Sequence, residues 1–349
     1  AEAVPSTSSL KHYESIVLEG YRKRETRKLA MRYAEDPSDE GLHRLMQRLE
    51  KVSETGIEEA EQTTKAALME IAAELMDPPG ENDRGFKTGF TDFDEMTGGV
   101  QPTDLVVIAA RPSVGKTAFA LNIGTGHCKN DGTTHIFSLE MPRKQLLYRM
   151  ISAEAKINGQ KWRSMLFSEE DVDRAMTAIG IISDWDIHIH EQEKTINQIK
   201  ARIRKEVSAE PEKRHLVIID YLQLITSTGR YENRNLEIGA ITRELKLLAK
   251  ELDIPIIILS QLSRGVESRQ DKRPIMSDLR DSGNIEQDAD VIGFLYRDDY
   301  YDKESEKQNI IEIIISKQRN GPTGTVELYF DKECGKFLNL AKQVEEVAQ

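Results

Sequence analysis

Beyond residue 100 the apolar positions fall in short β-branched runs: Leu105–Ala109, Thr134–Leu139, Ile187–His190, Leu216–Ile219, Ile256–Leu259 and Val291–Leu295. Between them the apolar residues recur at helical spacing. This alternation is the rhythm of βαβ units, and it predicts a mostly parallel sheet with helices on both faces, an α/β fold. Ile310–Ser316 and Thr325–Phe330 are separated only by Lys317–Gly324. So short a connection predicts an antiparallel pair at one edge of the sheet.

The first quarter of the chain is patterned differently. Leu10–Ala34 is rich in helix formers, Glu35-Asp-Pro-Ser38 interrupts it, and a second helical run covers Asp39–Val52, which together predict a helical hairpin. In Ile57–Met76 the residues Ile57, Ala60, Ala67, Leu68, Ile71 and Leu75 make one apolar stripe at helical spacing. Asp77-Pro-Pro-Gly-Glu-Asn-Asp-Arg84 then stops the helix and reads as a linker and a domain boundary. A lone amphipathic helix beside a linker needs something to cover its stripe, either this chain or a neighbouring copy.

The chain has 349 residues, long enough for one large α/β domain and a smaller helical one. Its formal net charge of −12 excludes a surface coated in basic charge but leaves room for nucleic acid held by local loops. Cys128 and Cys334 are too few for a disulfide framework or a metal site, which suits a reducing compartment. No apolar run approaches the length of a membrane span and no signal-peptide pattern is present, so a cytoplasmic location is expected.

The chemistry starts at Ala110-Arg-Pro-Ser-Val-Gly-Lys-Thr117, between the first strand run and a helix expected over Thr117–His127. A tight loop opening onto a helix N-terminus aims backbone N–H groups and the helix dipole at one spot, a cradle for polyphosphate. Ser113, Val114, Gly115, Lys116, Thr117 and Ala118 would line it, with Lys116 on the β- and γ-phosphates and Thr117 on Mg²⁺. Asp220 ends the apolar run Leu216-Val-Ile-Ile219, where a carboxylate can join the Mg²⁺ shell. Glu140 ends another strand and could orient and deprotonate water; spacing alone leaves it equally a solvated charge before Pro142. Gln261, at a third strand end, offers an amide that could report on a γ-phosphate.

Lys317 and Arg319 stand two apart at a strand end, so they project from one side and could touch one anion. Read alone, they are a basic pair on a solvated edge. The loops Thr226–Asn235, with Arg230, Tyr231 and Arg234, and Arg264–Arg273, with four basic residues, could track a nucleic-acid backbone, although such loops are more often merely solvated. His188 and His190 share a strand face with no third ligand in view and read as structural.

In this order and spacing the motifs have a specific match. Thr88-Gly-Phe-Thr91, the phosphate loop, Ser138-Leu-Glu-Met141, Ile219-Asp-Tyr-Leu-Gln223, Ser260-Gln-Leu-Ser-Arg264, the stretch from Ser277 to Asp290 and Lys317-Gln-Arg-Asn-Gly321 resemble the RecA-like motor domain of DnaB-type hexameric replicative helicases, the bacteriophage and Gram-positive bacterial members most of all. The resemblance runs from about Thr88 to Leu340. It implies ATP and Mg²⁺ as cofactors, Glu140 as the catalytic carboxylate, Asp220 as the Mg²⁺-linked one and Gln261 as the phosphate sensor. Lys317 and Arg319 would complete a neighbouring subunit's site. Arg280 and Gly283 would face DNA in a central channel, with Asp281 beside them where many relatives carry Glu. It further implies a homo-hexameric ring moving 5′ to 3′ on single-stranded DNA, with primase and a helicase loader as partners of the full-length protein. Residues 1–56 would be the remnant of an N-terminal collar, 57–87 a linker helix and linker, and 88–349 the motor; the globular head that precedes the hairpin in the family is not read in this chain. Two alternatives are a RecA-like ATPase that opens no fork and a non-enzymatic factor that binds nucleotide to hold an assembly.

Overall fold

The computed structural model describes residues 7–38, 64–76 and 85–340 except 228, 230, 280 and 281, together with 41, 42, 44, 45, 48, 49 and 52. Two compact units divide at Pro78/Pro79. In the first, α1 spans Thr7–Glu35 and ends where Pro37 disfavours further helix. The described residues among 41–52 are helical. The helix α2, Thr64–Met76, carries Leu68, Ile71 and Leu75 at 59%, 51% and 77% exposure. Ile57 and Ala60 of the predicted stripe lie outside the described residues, as does the Ala67 side chain.

The second unit is built on one nine-stranded sheet. After α3 (Thr91–Thr97) come β1 (Leu105–Ala110), α4 (Lys116–Cys128), β2 (Thr133–Ser138), α5 (Arg143–Ala155), α6 (Glu169–Ser183), β3 (Ile187–His190), α7 (Ile196–Ala209), β4 (His215–Asp220), α8 (Arg234–Leu252) and β5 (Ile256–Gln261). Then follow α9 (Ser282–Asp288), β6 (Val291–Tyr296), β7 (Ile310–Gln318), β8 (Gly324–Asp331) and β9 (Lys336–Asn339), with one-turn helices between several of these. The spatial order is β3-β2-β4-β5-β1-β6-β7-β8-β9. The strands from β3 to β6 are parallel, and β7, β8 and β9 return antiparallel.

Both faces of the central strands are covered, so β1, β2, β4 and β6 are buried at every position. On one face Ile108, Ile218 and Ile257 pack with Phe119 and Ile123 of α4 and with Phe90, Phe93, Phe330 and Phe337. On the other, Val107, Val217 and Ile258 meet Ile199 and Ile203 of α7 and Ile241, Leu245 and Leu248 of α8. The helix α7 starts at a capping box in which Thr195 and Gln198 bond each other's backbone N–H groups.

Register decides where the chemistry gathers. Ala110 lies opposite Gln261, and Ser138 opposite Asp220. The phosphate loop, Glu140, Asp220 and Gln261 therefore leave the sheet at its carboxyl edge, as expected for open α/β sheets. Strand β7 runs two residues past its predicted end, so Lys317 is still in the ladder, paired with Ile292 across a register shift. Ile292 is near the start of β6. Lys317 and Arg319 thus sit at the opposite, amino edge, about 20 Å away at the rise of a six-residue strand.

Candidate functional site

The loop from Arg111 to Gly115 takes backbone conformations that open its centre. Ser113 has φ +66° and Gly115 φ +129°. A Cβ at Gly115 would lie 3.3 Å from the Phe330 ring and 3.4 Å from Phe337, so the position suits glycine both in dihedral and in space. Helix α4 begins at Lys116, one residue earlier than its predicted start, with Thr117 and Ala118 in its first turn. The Thr117 hydroxyl donates to Asp220 Oδ2 at 2.7 Å. Asp220 is 3% exposed, and its Oδ1 is buried with no hydrogen-bond partner among the described residues. A buried carboxylate oxygen left unpaired is costly unless something binds it. A hydroxyl and an orphaned carboxylate oxygen at the mouth of a phosphate loop are the donor set that a hard cation takes alongside phosphate oxygens, so the residues fit Mg²⁺ and a polyphosphate.

Lys116 is held in the same space, its Nζ 4.7 Å from the Tyr221 ring centroid. Burial pulls its ammonium below the usual lysine range, and the charges of Asp220 and Glu140 push it back up. Glu140 is exposed at the end of its strand. Arg149 of α5 lies within electrostatic reach of the same two carboxylates; its place on a helix facing the site has no signal in local sequence. Gln261 is positioned through its backbone: its N–H donates to Gln223 Oε1 at 3.3 Å, and Gln223 Nε2 donates to Ser260 Oγ at 2.8 Å. Gln223 therefore ties the end of β5 to the segment after β4.

At the amino edge the two basic residues are already engaged. Lys317 Nζ donates to the carbonyls of Glu286 and Ala289 at 2.5 and 2.6 Å. Arg319 donates to the Gln287 carbonyl at 3.2 Å and stands 3.4 Å from Asp290 Oδ1. These groups close the C-terminal turn of α9, where cations are favoured. The Arg319 side chain is half exposed, so the edge is solvated as read, but both cations have partners, carbonyls about thirty residues earlier and Asp290, which no local pattern shows.

Gly283 is exposed in the first turn of α9, and a Cβ there would meet nothing within 4 Å. Arg280 and Asp281 lie outside the described residues. Helix α9 is locked to α8, where Thr242 Oγ1 donates to Asp288 Oδ2 at 3.1 Å. Of the basic loop residues, Arg230 lies outside the described residues, and Tyr231 is 37% exposed. Arg234 donates to the carbonyls of Gln223 and Ile225. Arg269 pairs with both oxygens of Asp278, and Arg273 with both of Glu312. Three arginines that look available in sequence thus hold the protein's own loops.

His188 bonds Asp186 at 2.8 Å, and its ring stacks on His135, which also stacks on His190 and His215. Burial lowers the His135 pKa to about 3. Among the described residues no group of three or more His, Cys, Asp or Glu could hold a metal, and no helix is long and apolar enough to cross a membrane.

A phosphate loop on the central strand of this sheet, with Thr117 bonded to a strand-end Asp220, defines a P-loop ATPase of RecA-like build. Within that class the chain belongs to the DnaB-like helicases: residues 85–339 match the DnaB-like helicase C terminal domain. It is 45% identical to the replicative DNA helicase DnaC of Bacillus subtilis (strain 168) over 99% of this chain and 78% of that one. The replicative DNA helicase DnaB of Geobacillus stearothermophilus is also 45% identical, with the same coverage. Among solved structures, a DnaB-like replicative helicase described with its interactions with primase is 42% identical, with a TM-score of 0.80, covering 97% of this chain and 81% of that one. A solved ATPase domain is 48% identical with a TM-score of 0.76, over 79% of this chain and 98% of that one.

Proposed function

We propose that this protein is the ATP-dependent motor of a replicative DNA helicase, which moves 5′ to 3′ on single-stranded DNA as a homo-hexameric ring and unwinds duplex at the fork. Family membership supports the activity. The arrangement of the sheet supports the ring: the phosphate loop and the Lys317/Arg319 pair lie at opposite edges, so one chain cannot bring both to one nucleotide.

In this reading Lys116 and the N–H groups of 113–118 hold the β- and γ-phosphates of ATP, and Thr117 and Asp220 hold Mg²⁺. The metal, when bound, neutralises charge on the transferring phosphoryl group. Glu140 orients the attacking water and takes its proton. Gln261, held by Gln223, reads the γ-phosphate. Lys317 and Arg319 reach into the neighbour's site, where an arginine supplied in trans accelerates phosphoryl transfer by roughly 10³–10⁵. Arg280, Asp281 and Gly283 face DNA. Residues 1–56 belong to the collar, 57–87 are the linker, with the exposed stripe of α2 docking on a neighbouring subunit, and 88–349 the motor. Primase and a loader are its partners, in a bacterial or phage-infected cytoplasm.

The test is ATP hydrolysis with and without single-stranded DNA, run beside unwinding of a fork with a 5′ tail, with Lys116→Ala as the blank. DNA-stimulated hydrolysis with unwinding is expected. Hydrolysis by an intact ring that ignores DNA and opens no fork would instead favour a RecA-like ATPase without helicase action.

A further inference from the structure

Arg111 is a charged residue inside the phosphate loop, 8% exposed, and its side chain bonds the segment that follows β5. Nη1 donates to the Leu262 carbonyl at 2.9 Å and Nε to Glu267 Oε1 at 2.7 Å. The backbone makes the same junction, because the Leu262 N–H donates to the Ala110 carbonyl at 3.1 Å. The phosphate loop is thereby fastened to the first residue after Gln261 and, through Glu267, to the segment that follows.

That segment is a closed lobe. Its ends meet in a bridge between Leu262 and Leu279, and the Ser263 N–H donates to the Asp278 carbonyl at 2.8 Å. Val266 is fully buried. Arg269 spans the interior, donating to Asp278 at 2.9 and 2.7 Å and to the Arg273 carbonyl at 2.7 Å. These contacts tie the two ends of the lobe to its middle, and Arg273 also anchors it to β7 through Glu312. One end of it is the backbone next to Gln261; the other leads from Leu279 directly to Arg280 and Gly283. Only the Arg111–Glu267 ion pair joins a side chain of the phosphate loop to the body of this lobe among the contacts described above.

We infer that Glu267, acting through Arg111, is a positioning residue that makes hydrolysis respond to DNA: it transmits a displacement at Leu279, the last described residue of the lobe, to the phosphate loop. The inference rests on the helicase reading. Among the described contacts Glu267 bonds Arg111 and none of the hydrolytic groups, so its loss leaves those groups in place. What changes is how stiffly the lobe and loop are joined, and a broken link of this kind alters the coupling between two sites by a modest, measurable factor.

The experiment compares wild type, Glu267→Gln and Glu267→Asp in their assembled form, measuring ATP turnover without DNA and across a titration of oligo-dT. Glu267→Gln is expected to hydrolyse ATP without DNA within about twofold of wild type, to half-saturate at an unchanged DNA concentration, and to lose DNA stimulation by about tenfold. Glu267→Asp, which keeps the charge, should recover part of that stimulation. Full stimulation in Glu267→Gln overturns the inference. So does an equal fall of turnover with and without DNA, which would mark the pair as structural. A wild-type protein that DNA does not stimulate overturns the helicase reading itself, an outcome seen before any variant is compared.

Discussion

The two edges of the central sheet treat their polar groups in opposite ways. At the carboxyl edge valences are left open: Asp220 Oδ1 is buried without a partner, and Lys116 is drawn out of water over the Tyr221 ring. At the amino edge three cations are engaged, Lys317 on two carbonyls of α9, Arg319 on a third and on Asp290, and Lys246 on Asp290 at 2.6 Å. A site with open valences is preorganised for a ligand and gains by filling. A satisfied cation reaches a new anion only by giving up what it already holds. The first edge offers a ligand open positions as it stands; the second could take an external anion only by releasing an internal partner.

The sharpest way to break this contrast is Arg319→Ala. On the trans assignment ring hydrolysis falls by roughly 10³–10⁵ while nucleotide binding stays largely intact. If Arg319 only braces α9, the variant loses stability and keeps its turnover per assembled ring. Mixed rings of Arg319→Ala and Glu140→Ala subunits decide between these, since subunits defective at different edges recover activity only when one completes the other's site. Recovery at no mixing ratio would falsify the trans role.

Gly115→Ala tests the carboxyl edge at intermediate size. With φ at +129° and the Phe330 ring 3.3 Å from the added methyl, strain of about 1–3 kcal/mol is expected. It should appear as a lower unfolding midpoint in denaturant and as weaker nucleotide binding. An unchanged midpoint would show that the loop is softer than its glycine suggests.

The smallest effect belongs to the amino edge. Burial and the neighbouring Asp290 raise the Asp104 carboxyl to about 6, against the pull of Lys246 and Arg319. The folded chain therefore keeps a proton that the unfolded chain releases nearer pH 4, and stability falls as pH rises through that window. For a half-buried group, solvent screening leaves about 1 kcal/mol of this. Asp104→Asn should flatten stability between pH 4 and 6 and raise it at pH 7; an unaltered slope would remove Asp104 from the account.

Much of the carboxyl edge is legible in sequence because it is local. Strand β1 starts where its apolar run starts, at Leu105, and β4 one residue before its run, at His215; each ends one residue past its run, on Ala110 and Asp220, since a strand buried on both faces is mostly apolar and a polar residue marks where it leaves the sheet. Thr117 and Asp220 are 103 residues apart, yet each is identifiable at the end of its own run. The amino edge depends instead on chain return. Nothing near Lys317 announces the carbonyls of Glu286 and Ala289, because the contact exists only once β7 folds back along β6. The short β9 escapes for a related reason: four residues with one buried side, Phe337, show no readable alternation. The arginines of the Arg264–Arg273 loop mislead similarly. Glu312, the partner of Arg273, is 39 residues distant, so a charge that is internally spent looks free in sequence.

The separation of the phosphate loop from the Lys317/Arg319 pair also fixes a count. On the trans assignment proposed above, a lone subunit has no whole site, and a row of n subunits joined head to tail has n−1. Only closure supplies the last one. An opened ring, such as one parted to admit a DNA strand, is therefore short of one site at the gap, and the gap can be located by asking which bound nucleotide is not turned over.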